Sequence, residues 1–248
     1  NEKKYFILYL LLLLASCNNK NYINWSHGTL DEAIVLNSHN EKLIMIDFYT
    51  DWWYACNLLD ANTFTDNEVS NQLNQNFINF KINAESDYGK KLFFEYNGNA
   101  YPLILFLDQN KKEIDRFYGF YEPKEFLEKL NVILEGSNTF PNLVQQYELG
   151  DHSSETIALL AKKYADRGET TNALELYKLL LKSKNVSHLQ FHEAQYYVAV
   201  QLLWGNGPDS LKIYINKNPD SPFLKDAVYQ LLAYYSNNNQ VDDEIMCY

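Results

Sequence analysis

The chain has 248 residues, of which 46% are hydrophobic and 15% aromatic, enough apolar surface to build one large or two modest cores and to exclude global disorder. Its formal net charge is −11. Such a surface repels phosphate backbones and no basic stripe offsets it, so no nucleic-acid partner is expected. Cys17, Cys56 and Cys247 are the three cysteines, too few for a disulfide framework, and nothing in their spacing argues for a Cys56–Cys247 bridge.

Lys3 and Lys4 precede an unbroken apolar run of ten residues, 5–14, followed by Ala15, Ser16 and Cys17. A positive start, a short apolar core and small residues are the parts of a secretory signal. The run is too short for a bilayer-spanning helix, which needs about 20 apolar residues. Leu14-Ala15-Ser16-Cys17 resembles the bacterial lipobox. That resemblance implies that Cys17 is lipidated and becomes the first mature residue, with acyl chains contributing about 0.8 kcal/mol per buried methylene to anchoring. The expectation is a signal peptide and lipidation site over 1–17, a polar tether over 18–24, and an exported protein held by lipid in the bacterial cell envelope, facing the periplasm.

From residue 25 to about 135, helical and strand signals alternate. Leu30, Ala33, Ile34 and Leu36 give a short amphipathic helix. Leu43–Tyr49 is a compact β-rich apolar run, as a buried central strand requires. Residues 54–62 and 66–75 read as helix or helix and turn, 77–82 as a second strand, and 87–96 as helix. A third strand over Leu103–Leu107 follows Pro102, turn chemistry occupies 108–111, and Glu113–Tyr118 reads as its hairpin partner. Pro123 opens a last helix carrying Phe126, Leu127, Leu130, Ile133 and Leu134 on one face. Helices interleaved with strands and a final hairpin imply a mixed sheet covered on both faces.

After Gly136 the strand signals stop, and 137–248 reads as helical throughout. Residues 151–154 offer N-caps for a helix to about Arg167, Gly168 breaks it, and a second helix runs over 171–183. Tyr164, Gly168, Ala173 and Tyr177 fall at spacings resembling a tetratricopeptide repeat, in which small residues let paired helices approach closely. A weaker set follows over 188–204, 208–217 and 222–236. The expected organisation is an α/β domain over 25–136 and an all-α, tetratricopeptide-like domain over 137–248.

Residues 46–56 read Ile-Asp-Phe-Tyr-Thr-Asp-Trp-Trp-Tyr-Ala-Cys. This resembles the thioredoxin superfamily, where a central strand ends in a Trp-Cys-x-x-Cys loop. Ala100-Tyr101-Pro102 resembles the family's cis-proline loop, residues 108–112 its hairpin turn, and Gly119 its glycine after the hairpin strand. Thr63-Phe64 and Asn67-Glu68-Val69 are similar to exported bacterial members. The resemblance implies a thioredoxin-like fold over about half the chain. One departure stands out: the family's first motif cysteine maps onto Trp53, and Cys56 alone remains. The first cysteine, activated at a helix N-terminus, attacks a substrate disulfide, and the second resolves the mixed disulfide. An indole does neither, so this motif cannot run a dithiol cycle.

Cys56, one turn into the helix, is expected to be buried and poorly activated. A lone thiol can still form a mixed disulfide, so Cys56 stays as the catalytic candidate beside the reading of a small buried core residue. Asp47 is unusual inside an apolar strand, since a buried carboxylate costs several kcal/mol unless paired or protonated. The resemblance implies that it lies beneath Cys56 with a raised pKa, and the alternative is a carboxylate bonded to backbone or to a lysine. The resemblance also makes Tyr101-Pro102 a cis peptide beside a peptide-binding groove. Trp52, Trp53, Tyr54 and Pro102 either form an exposed aromatic patch or pack against the helical region, and packing is the expectation. His188 and His192 share a helix face, but without a third ligand no metal is expected, and no cofactor motif occurs. The function expected is a non-catalytic module binding protein or peptide partners in the envelope. The rivals are a thiol-disulfide oxidoreductase acting through Cys56 and a structural envelope protein.

Overall fold

A computed structural model describes residues 22–36 and 42–238. The expected signal and lipidation segment, most of the tether and Cys247 lie outside the described residues.

Helix α1 (Leu30–Leu36) starts where the Glu32 carboxylate accepts from the Thr29 backbone N–H at 2.8 Å. Strand β1 (Leu43–Tyr49) follows, and its five interior positions are all buried, as an apolar run flanked on both faces demands. Strand β2 (Phe77–Asn83) runs parallel to β1, with Asp47 opposite Lys81. Strand β3 (Leu103–Leu107) pairs antiparallel with the other edge of β1, placing Phe48 opposite Leu103. Strand β4 (Glu113–Tyr118) completes the sheet order β2-β1-β3-β4.

A parallel pair needs a long crossover. Here it is made of α2 (Tyr54–Leu58), a continuous π-helical turn over Leu59–Thr63, and α3 (Asn67–Asn76). Asp66 caps α3, its carboxylate accepting from the N–H groups of Glu68 and Val69. Helix α4 (Asp87–Glu95) links β2 to β3, and α5 (Pro123–Glu135) buries Phe126 and Leu130. The β3–β4 turn is built by Asp108, whose carboxylate accepts from the N–H groups of Asn110 and Lys112 at 2.8 Å each. This is the thioredoxin-like arrangement expected from the residues, with every strand where its hydrophobic pattern put it.

The chain separates into two compact units. The first runs to Phe93 and adds Ala100–Glu113 and Tyr118–Asn131; the second comprises Phe94–Asn99, Ile114–Phe117 and the chain from Val132 onward. In the first, Ile44, Met45, Ile46 and Phe48 of β1 and all five β3 residues are buried with Leu59, Val69, Leu73 and Phe80. Edge-to-face contacts of Phe64 with Trp25 (5.3 Å) and with Phe126 (5.8 Å) join the crossover to the rest of that core.

From Val132 onward the second unit is helical: α6 (Phe140–Glu148), α7 (Ser154–Asp166), α8 (Thr170–Leu180), α9 (His188–Asn206), α10 (Asp209–Lys217) and α11 (Leu224–Asn237). Helix α6 is an addition to the sequence reading, which did not separate it from 137–150. Helices α7 and α8 meet over Ala161 and Ala173, both fully buried, with Leu160, Leu176 and Leu180 around them. Their turn is a full Schellman motif. The Glu169 N–H donates to the Tyr164 carbonyl at 2.9 Å and the Gly168 N–H to that of Ala165 at 3.0 Å, with Gly168 at φ +72°. A second cluster joins α9, α10 and α11 through Leu203, Leu211, Tyr214, Ala227 and Leu231. Within this unit, buried Asp115 is paired with Lys163.

Two glycines carry different constraints. At Gly89 in α4 an added Cβ would overlap the carbonyl oxygen of Asn83. At Gly168 the nearest atom is 3.8 Å away, so only the backbone conformation resists a side chain. Gly168→Ala is expected to cost about 1–2 kcal/mol in urea unfolding, the left-handed penalty alone. Gly89→Ala is expected to cost about 3 kcal/mol or more, because backbone must move.

Candidate functional site

The site lies at the C-terminal end of β1. Pairing of Phe48 with Leu103 brings Tyr101-Pro102 beside the residues that leave β1, and that peptide bond is cis. Trp53, in extended conformation (φ −83°, ψ 120°), is the residue from which α2 starts, and its side chain makes no capping hydrogen bond. The N–H groups of Cys56 and Asn57 donate to the Trp53 carbonyl at 3.1 and 3.3 Å. An indole therefore occupies the helix N-terminus, the place where backbone N–H groups and the helix dipole would stabilise a thiolate.

Cys56 faces inward and is only 2% exposed. Burial pushes its thiol pKa up, a backbone hydrogen bond at Thr50 pulls it down, and the charge of Asp47 raises it further. The net direction is upward, so the thiol stays protonated at neutral pH.

Asp47 is buried in β1, one position beyond Ile46 in the same strand. Burial pushes its carboxyl up to about 6 against the charge and hydrogen bond of Lys81. Lys81 Nζ donates to Asp47 Oδ2 at 2.8 Å and to Asp60 Oδ1 at 2.5 Å, and sits 4.4 Å from the Tyr49 ring centroid. Burial alone would lower the Lys81 pKa, but the two carboxylates outweigh it and the net direction is upward. Asp47 Oδ1 is buried without a hydrogen-bond partner; it is the oxygen left for a proton. The two sequence alternatives for Asp47 thus coincide: it pairs with a lysine, its pKa is raised, and its charge reaches Cys56.

The aromatic side chains correct an expectation. Trp52, Trp53 and Tyr54 are 61%, 44% and 73% exposed rather than packed away. The two indoles meet edge to face at 5.5 Å, and Trp52 Nε1 donates to Glu85 Oε1 at 3.0 Å. Tyr101 is half-buried and packs on Phe93 at 4.9 Å. Burial first, then the charge of Glu85 and the nearness of Cys56, raise its phenol pKa.

Lys81, Asp60 and Glu85 were missed at the sequence level. Lys81 carried a signal: in β2 it interrupts the apolar pattern and, in a parallel pair with β1, falls in register with Asp47. Asp60 and Glu85 carried none, since a helix and a loop deliver them. Among the described residues no group of three or more His, Cys, Asp or Glu side chains gathers at a metal-binding distance.

A family model described as a thioredoxin-like domain matches residues 30–133. Among curated proteins, the chain is 34% identical over 118 residues to the thiol:disulfide interchange protein DsbD of Photorhabdus laumondii, covering 46% of this chain and 20% of that protein. It is 29% identical over 147 residues to DsbD of Actinobacillus pleuropneumoniae, covering 50% of this chain and 25% of that protein. The chain therefore spans about a fifth to a quarter of the length of these relatives. Among solved structures it resembles a putative disulphide-isomerase from Bacteroides thetaiotaomicron at 27% identity and a TM-score of 0.43, over 47% of this chain and 97% of that one.

Two measurements follow from this geometry. A native-state pKa near 6 against an ordinary 3.8 means that folded Asp47 holds its proton more tightly than unfolded Asp47. Its contribution is therefore fully present below pH 4 and is lost as pH rises through 6, about 3 kcal/mol in all. Asp47→Asn is expected to raise unfolding free energy by up to about 3 kcal/mol at pH 7, with the gain vanishing near pH 4; an unchanged pH profile would refute the assignment. Alkylation of Cys56, followed by peptide mass, is expected to be slower in the native than in the unfolded chain by on the order of 100-fold or more, because reaction awaits local opening.

Proposed function

Taking residues 30–133 as a thioredoxin-like domain related to thiol:disulfide interchange proteins, we propose that this chain is a binding or assembly module without a dithiol cycle. Its partners are proteins or peptides of the cell envelope, and no cofactor takes part. The observation that carries the reading is the pairing of an indole at the start of α2 with a buried, protonated thiol one turn on. Nucleophilic attack on a disulfide needs an accessible thiolate, and neither position offers one. Exposed Trp52, Trp53 and Tyr54 beside the cis Tyr101-Pro102 bond supply rigid aromatic area for an extended segment. The helical unit adds a second surface for partners, read as tetratricopeptide-like from the Ala161–Ala173 approach and the Gly168 turn.

Placement in the envelope rests on the signal and lipobox residues up to Cys17, which give export and a lipid anchor. Among the described residues no helix is long and apolar enough to cross a membrane.

One observation favours a second reading, a monothiol oxidoreductase working through Cys56. Asp47, with a pKa of about 6 and a free buried oxygen, would serve as proton acceptor for that thiol, and a thiol of a partner or an added reductant would resolve the mixed disulfide formed with the substrate. Reduction of a protein disulfide by the natural chain and by Trp53→Cys and Cys56→Ser variants separates the two. The binding reading expects no turnover from the natural chain and turnover gained with Trp53→Cys. Turnover by the natural chain that disappears in Cys56→Ser would establish the oxidoreductase instead.

A further inference from the structure

In the helical unit, His188 opens α9 and His192 follows one turn later. Residues four apart lie above one another on a helix. Their Nε2 atoms are hydrogen-bonded to each other at 2.9 Å and their ring centroids are 4.2 Å apart, so the two rings bring a nitrogen each to one place. His188 is exposed and opens that point to solvent, while His192 is buried. Ligation through Nε2 puts the His192 ring proton on Nδ1, which is buried without a hydrogen-bond partner, so the affinity expected is moderate.

With metal–nitrogen bonds of about 2.0–2.1 Å, a 2.9 Å separation subtends about 90° at a shared ion. That is the cis angle of square-planar and octahedral coordination and is too narrow for a tetrahedral site. A closed tetrahedral zinc site needs four protein ligands, whereas a tetragonal ion accepts two imidazoles and fills its remaining positions with water. The requirement for a third protein ligand, which argued against metal at the sequence level, therefore does not apply to this class of ion. The chain's net charge of −11 raises the local concentration of cations. The positive end of the α9 dipole opposes them and keeps the affinity moderate.

We propose that His188 and His192 form a two-nitrogen chelate for a tetragonal divalent transition-metal ion, Cu²⁺ ahead of Ni²⁺ and Zn²⁺. The order follows from the geometry and from the general rise of affinity toward copper along the first-row ions.

The test is a Cu²⁺ titration of the full chain with its thiols alkylated, read by calorimetry and by pulsed electron paramagnetic resonance, which counts coupled imidazoles. The expected result is two imidazoles on one ion, with Ni²⁺ and Zn²⁺ binding more weakly. His188→Ala, at an exposed position, is expected to bind Cu²⁺ about tenfold or more weakly and to lose the two-imidazole signal. His192→Ala should match it, and if that variant fails to fold, His188→Ala decides alone. Equal affinity in the natural chain and His188→Ala, or a single coupled imidazole in the natural chain, would reduce the pair to two hydrogen-bonded rings and overturn the proposal.

Discussion

Asp47 stands in the buried interior of β1, with one oxygen 2.8 Å from Lys81 and the other without a partner. A carboxylate in that position is tolerated only because the parallel register of β1 and β2 places a lysine directly opposite. Lys81 in turn is held by Asp60 from the π-helical turn and by the face of Tyr49. One charged cluster thus joins both parallel strands and the crossover between them, beneath the loop that carries Trp52, Trp53 and Tyr54. A purely apolar replacement would satisfy burial more cheaply. The cluster spends stability and leaves a titrating group under Cys56, an arrangement suited to moving protons at a thiol.

That arrangement now lacks its counterpart above. A dithiol motif divides its labour: an outer thiol at the helix N-terminus attacks, and an inner thiol one turn on resolves. The inner half is intact here, with Cys56 buried and Asp47 acting on it electrostatically. The outer position holds an indole that neither ionises nor forms a covalent bond to sulfur. The buried positions thus carry a thiol and a titrating carboxyl, and the exposed position at the start of α2 carries neither. The cause is physical. Asp47, Lys81 and Cys56 are tied into core packing, whereas Trp53 is substantially solvent-exposed and makes no side-chain capping bond that would resist a change of residue.

The strands were legible because each rests on a local rule, and the cis peptide because the resemblance implied it. The buried run Leu43–Tyr49, the proline ahead of Leu103–Leu107 and the Asp108 turn all form from short-range chemistry. Asp47 was legible as an anomaly in an apolar strand, but its partner was not, because register across a parallel pair is set by tertiary packing. Asp60 reaches Lys81 from a π-helical turn, an insertion that sequence periodicity of 3.6 does not reveal. The exposure of Trp52 and Trp53 was misread for a related reason. Large aromatics are presumed to be buried, and here Trp52 is held at the surface by its bond to Glu85, which lies far along the chain. In the helical unit, Gly168 and Ala173 announced the α7–α8 hairpin, while Ala161 was not singled out and α6 was not separated from its surroundings.

Exposed indoles carry a consequence of their own. Trp52 and Trp53, in edge-to-face contact, present apolar area beside Tyr54 at the start of α2, and uncovered apolar surface of this kind is costly in water. Aromatic side chains with few rotatable bonds lose little entropy when a partner covers them, so the same surface that is unfavourable alone becomes favourable in contact. At this position an indole presents a surface where a thiol would present a reactive atom. A thiol captures its target through a bond that must later be broken by a second sulfur. An indole offers apolar area and no such bond. Cys56 is buried one turn on from Trp53, so the side chains exposed at the start of α2 are aromatic and the sulfur is not among them.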